Sequence, residues 1–129
     1  MADGPPTMHP MLGTIMVYAR DMQRSAAFYG THFGLQTTGE VVEGLIELKA
    51  PDGGASILIH QAAKSVKLGQ AGVKLCFHVH DVEAFKAYAL TQGLAFGSTH
   101  QANGYAFANV KDPDGNAVSI SSRAFRTAA

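Results

Sequence analysis

From residue 12 the chain alternates. Ile15, Val17 and Ala19 fall on one side of an extended backbone, and Thr14, Met16 and Tyr18 on the other. That is the period of a strand with both faces at least partly covered. Asp21 follows, where its carboxylate can accept from the free amides of a first helical turn. Behind it Met22, Ala26, Tyr29 and Phe33 recur at i, i+4, i+7 and i+11, one apolar stripe along a helix that Gly34 ends. Residues 36–42, 44–50 and 55–61 read as three short strands. Pro51, Asp52, Gly53 and Gly54 form the turn between the last two.

The same succession returns after the polar, irregular stretch 62–71, which reads as a linker. Laid with Asp21 on Asp81, sixty residues on, Val17 falls on Phe77, Ala19 on Val79 and Met22 on Val82. A strand runs from residue 73 to about 80, Asp81 caps, Val82, Phe85 and Ala89 face a core, and Gly93 stops the helix. Residues 94–99, 105–110 and 116–122 are the next strands, with Asp112, Pro113, Asp114 and Gly115 in the last turn. A period of about half the chain is too long for a solenoid and predicts two copies of one βαβββ module. The expected fold is α+β: one domain over residues 11–123, in modules 11–61 and 72–123, with a disordered leader at 1–10 and a tail at 124–129. Each helix must pack on one face of its sheet. The other face is left to curl, and two such faces meeting make a cleft of the kind that takes ligands.

Composition narrows the classes. The 129 residues are 47% apolar and 16% charged, with ten basic and ten acidic side chains. That is the make-up of a globular chain. A formal net charge of zero argues against a broad nucleic-acid footprint or a polybasic membrane patch. No apolar run reaches the roughly 18 residues of a membrane span, and residues 1–10 lack the pattern of a signal peptide. Cys76 is the one cysteine, so no internal disulfide forms and a cytoplasmic location is expected.

In this order the elements resemble the vicinal oxygen chelate superfamily, the glyoxalase, bleomycin-resistance and ring-cleaving dioxygenase group. The resemblance rests on the strand–Asp–helix element of residues 16–34, on residues 78–85, and on Asp112, Pro113, Asp114, Gly115 and Asn116 followed by a strand. It implies a cupped mixed sheet built from the two modules, with a divalent metal held by the first and last strands of each. The matching positions hold Thr14, Leu58, Lys74 and Ser119. A divalent ion wants His, Glu, Asp or Gln donors, so no metal and no other cofactor is expected. The resemblance also implies a symmetric homodimer, with the modules either paired within a chain or exchanged between two.

If Thr14 and Lys74 point into the cleft, alternation brings Met16, Tyr18, Cys76 and His78 with them. Ser56, His60 and Ser121 share the face of Leu58 and Ser119, and Tyr105, Phe107 and Asn109 line a second wall. Lys74 either anchors a carboxylate or phosphate, or lays its stem along the sheet with the ammonium in water. Cys76 is either a thiolate favoured by Lys74 or an inert thiol. His60 and His78, with Glu47 as the nearest carboxylate, make a replacement metal pair or a general base in one reading, and half-buried structural histidines in the other. The expected function is binding of a neutral or anionic metabolite without the family metal. The alternative is a metal-dependent glyoxalase-like lyase, isomerase or dioxygenase with a shifted site at His60, His78 and Glu47. A third reading has the cleft filled by Met16, Tyr18, Leu58 and Phe107 themselves. The chain has no tryptophan, whereas drug-binding proteins of this kind hold large cationic ligands between acidic, tryptophan-rich walls.

Overall fold

The computed structural model describes residues 9–127. Of the expected leader only His9 and Pro10 fall among them, and the end of the tail lies outside. The first module is β1 (Thr14–Ala19), α1 (Met22–Phe33), β2 (Leu45–Leu48) and β3 (Ser56–Gln61). The second is β4 (Lys74–His78), α2 (Val82–Thr91), β5 (His100–Gln101), β6 (Ala106–Lys111) and β7 (Ala117–Ser121), followed by a 3-10 turn at Arg123–Phe125.

Both helices start as the spacing predicts. The Asp21 carboxylate accepts from the Arg24 amide at 3.1 Å, and Asp81 accepts from the Ala84 amide at 3.0 Å. Each thereby satisfies a donor that the first turn leaves free. Gly34 closes α1 with φ 70°. After α2 the Leu94 amide reaches back to the Ala89 carbonyl at 2.9 Å, with Gly93 at φ 85° making the left-handed step.

The sheets repeat one topology. One has the order β1-β3-β2 and the other β4-β7-β6-β5. In each, the first strand of the module runs parallel to the last, and the hairpin strands are antiparallel. Met16 lies opposite Leu58, Tyr18 opposite His60, Cys76 opposite Ser119 and His78 opposite Ser121.

Two expected strands are replaced. Residues 36–42 make only the isolated bridges Gln36 with Lys49 and Val42 with Leu45. The Thr37 and Thr38 hydroxyls accept from the Gly39 and Glu40 amides at 3.0 and 3.2 Å, and these local turns take the place of a ladder. Residues 94–99 form no strand either. The Gly97 amide makes one bond to the Asn109 carbonyl, while the Thr99 hydroxyl turns to Glu83 and Lys86 on α2.

The inner faces of both sheets converge on the helices. Val17, Ala19, Ile46, Leu48, Ile57 and Ile59 of the first sheet share a buried cluster with Tyr29 of α1 and Val118 of the second, and Phe77 packs against it. Phe33 stacks on Phe77 with ring centroids 4.1 Å apart, so α1 spans both modules. Fully burying a side chain such as Ile46, Ile59 or Ile120 contributes roughly 1.5–3 kcal/mol and fixes which face of each strand turns inward.

The turn after β6 locks the halves. Buried Asp112 accepts from the amides of Asp114 and Asn116, from the Asn116 side chain, and from the Tyr29 hydroxyl. Asp114 accepts from the Ser25 hydroxyl and the Arg20 amide, each at 3.1 Å. The linker is anchored as well, since the Arg20 guanidinium donates to the carbonyls of Ala63 and Val66. No helix among the described residues is long and apolar enough to cross a membrane.

Candidate functional site

Because the inner faces are taken up by the core, the candidate residues lie on the outer faces. On the first sheet, Thr14, Met16, Tyr18, Leu58 and His60 form one wall, as alternation predicts. Met16 is 43% and Tyr18 49% exposed. The Tyr18 and His60 rings lie 5.2 Å apart. His60 Nδ1 is 2.8 Å from the Gln61 carbonyl. A carbonyl only accepts, so Nδ1 is the donor of this bond. Glu47 lies opposite Leu58 and therefore diagonal to His60 on the same face.

On the second sheet, Lys74, Cys76, His78, Phe107, Ser119 and Ser121 form the other wall. Lys74 does not leave its ammonium free in water. It reaches across β7 to Asn109 Oδ1 at 2.9 Å and sits 5.7 Å from the centroid of the Phe107 ring. Ser119 lies beneath that bridge and is 2% exposed, although it faces outward in register. Cys76 is exposed. Phe125 stacks on His80 at 3.5 Å and stands edge-on to His78 at 6.4 Å.

The chain thus assembles each wall. Among the described residues no hydrogen bond or ring contact joins a candidate on one wall to a candidate on the other. Nor does any group of three His, Cys, Asp or Glu side chains converge as a metal cluster. His60 and Glu47 share a sheet, and His78 stands on the other one. At the four family metal positions Leu58 offers no donor atom, the Lys74 ammonium is bonded to Asn109, and the Ser119 hydroxyl is buried. That set does not fit a divalent ion.

Two cavities border the first wall. One, of about 620 Å³, is lined by Gln36, Glu40, Glu43, Glu47, Lys49 and Leu58 among others. Three carboxylates against one ammonium make this rim acidic, which the strand pattern alone did not reveal. The other, of about 510 Å³, lies between the modules under the linker, and Met16, Tyr18, Val66, Leu68, Val73 and Leu75 help to line it. The tail was the other omission. Arg123 and Arg126 place their guanidinium carbons 5.9 and 5.5 Å from the centroid of the Tyr105 ring. The signal was there in two arginines three residues apart bracketing Phe125.

A duplicated, cupped α+β fold with this wall chemistry defines a class. The sequence model of the Glyoxalase/Bleomycin resistance protein/Dioxygenase superfamily matches residues 11–120, and the chain belongs to that superfamily. Among solved structures it is similar to lactoylglutathione lyase from Agrobacterium tumefaciens, at 22% identity and a TM-score of 0.67, covering 91% of this chain and 94% of that one. It is similar to an antibiotic binding protein from a Streptomyces species, at 18% identity and a TM-score of 0.73, covering 89% and 97%. A virulence protein from Salmonella typhimurium is 20% identical with a TM-score of 0.70, covering 89% and 98%. At such identities the likeness speaks to the fold alone. No curated protein matches the chain.

Proposed function

We propose that the chain is a small-molecule-binding member of its superfamily that works without the family metal and holds a neutral or anionic metabolite against the outer faces of its sheets. The observation that carries this reading is the occupancy of the four metal positions, above all the Lys74 ammonium held by Asn109 where a ligand atom would be needed. The side chains around those positions, Met16 and Tyr18 exposed and Leu58 and Phe107 half-buried, suit an apolar ligand body. Lys74, Arg123 and Arg126 suit an acidic end. A relative in fold that is an antibiotic binding protein accords with the reading.

Each wall alone is half of an enclosure. The reading therefore includes a homodimer in which the first-sheet wall of one copy faces the second-sheet wall of the other. The lone exposed thiol accords with a reducing cytoplasm.

A thermal-shift screen of neutral and acidic metabolites on metal-stripped protein tests the reading. The expected outcome is stabilisation by such compounds that Tyr18→Ala or Lys74→Gln removes. An empty screen, or stabilisation only after stoichiometric divalent metal is restored, sinks it. The metal-dependent alternative at His60, His78 and Glu47 rests on the His60 ring, whose Nε2 takes no part in the Gln61 bond, and on the diagonal carboxylate of Glu47. It requires stoichiometric uptake of a divalent ion that His60→Ala abolishes.

A further inference from the structure

The geometry points to a subsite for a planar aromatic acid at the β5-β6 end of the second sheet, built from Tyr105, Phe107, His100, Arg123, Arg126 and Lys74. This inference rests on the small-molecule reading above and names the ligand class for it. Tyr105 and Phe107 stand on the same face with ring centroids 6.4 Å apart, and His100 stacks on Phe107 at 5.0 Å with an interplanar angle of 26°. Cations hold to this platform: Arg123 and Arg126 over Tyr105, Lys74 over Phe107.

Among the described residues none of these three cations has a carboxylate partner. The salt bridge found among the described residues joins Lys86 to Glu83, on α2. A guanidinium resting on a ring keeps its planar fork of N–H donors free to meet a carboxylate with two parallel bonds. Arg123 and Arg126, 5.9 and 5.5 Å from one ring centroid, repel one another, and an anion arriving between them relieves that repulsion. Tyr105 and Phe107 are each partly exposed, and the exposed part of each ring offers apolar area for a second π-system. An acid group joined to a planar ring satisfies both demands at once, whereas an aliphatic acid or a neutral arene satisfies one. Three cations on a chain of zero net charge are few for a nucleic-acid track, which needs charge along its length.

The test is calorimetric titration of the full chain with 2-naphthoate and with its neutral isostere 2-naphthamide. The acid should bind at least about tenfold tighter than the amide, and R123Q/R126Q should erase that preference with the fold intact by circular dichroism. Tyr105→Leu should weaken both compounds. Equal affinity for acid and amide, a preference that survives R123Q/R126Q, or no binding of either compound overturns the subsite. Equal binding that Tyr18→Ala abolishes overturns the subsite while leaving the small-molecule reading intact. That broader reading stands or falls by the metabolite screen. If R123Q/R126Q instead dissociates the protein into monomers and leaves naphthoate affinity unchanged, the arginines serve the second copy's carboxylates and the proposal fails.

Discussion

The Tyr29 hydroxyl donates to Asp112 Oδ2 at 2.7 Å, across the boundary between the two modules and out of reach of water. Tyr29 is fully buried on α1, and Asp112 is 4% exposed at the turn after β6. A hydrogen bond to a charged group is worth roughly 1.5–3 kcal/mol, about twice a neutral one, and its loss leaves part of a buried carboxylate unmet. Tyr29→Phe keeps the ring against Phe28 and Phe77 and removes only the donor. Urea denaturation should therefore show a loss of about 1.5–3 kcal/mol with an unchanged m-value. A loss under about 0.5 kcal/mol, as at an exposed site, would mean that the remaining donors satisfy Asp112 by themselves.

The same bond sets an alkaline limit. Tyr29 has its pKa raised above the ordinary 10.0, first by burial, then by the hydrogen bond to Asp112 and by the negative charges of Asp112 and Asp114. The folded state thus holds this proton more tightly than the unfolded chain does. Its contribution is complete below about pH 10 and is lost as pH rises from there toward the folded-state value, because the unfolded chain ionises first. The stability gap between the natural chain and Tyr29→Phe should accordingly narrow as pH rises from about 10 to about 12. A gap that stays constant across that range refutes the linkage.

Much of this was readable from residue order, and the exceptions have definite causes. The duplicated strand, cap and helix were legible because Asp21 and Asp81 act through local amides, and because the apolar stripe behind Asp21 has a period that only a helix satisfies. That Met16, Tyr18 and His60 share one sheet face, and Cys76 and His78 another, followed from strand alternation. Residues 36–42 defeated the strand reading because two threonine side chains supplied the turns that backbone pairing would have excluded. Asp112 looked like a turn residue, and it is one. Its second role, meeting Tyr29 from 83 residues away, depends on how the modules dock, which no local pattern encodes. Arg123, Arg126 and the acidic rim were missed for the same reason: isolated charges acquire meaning only from the surface they share.

Gly69 offers a sharper test of how the linker is seated. Its φ is +78°, and a Cβ built there would lie 2.7 Å from the Asp114 carbonyl oxygen, a backbone atom with no rotamer to yield. Gly104 has φ +81° and open space around it. Gly104→Ala should cost about 1 kcal/mol for the left-handed conformation alone. Gly69→Ala adds a steric clash, with an expected cost of about 2–4 kcal/mol. Equal costs in chemical denaturation would mean that the linker lifts off the Asp114–Gly115 turn without penalty.

The last prediction concerns the first-sheet wall. Met16 and Tyr18 are large, half-exposed and on one face of β1. An exposed apolar pair of this kind favours a partner over open water. If the partner is the second wall of another copy, Met16 lies inside the contact, and Met16→Asp places an unpaired carboxylate there. Stranding a charge in an interface costs about 3 kcal/mol or more, which corresponds to at least about a hundredfold weaker dimer. Sedimentation velocity at micromolar concentration should find a dimer for the natural chain and a folded monomer for Met16→Asp. Leu90 on α2 is 63% exposed and lies away from both walls, so Leu90→Asp should leave the dimer intact. A natural chain that sediments as a monomer defeats the two-copy enclosure, and a dimer broken by Leu90→Asp but not by Met16→Asp moves the contact to the helix side and leaves both walls open to solvent.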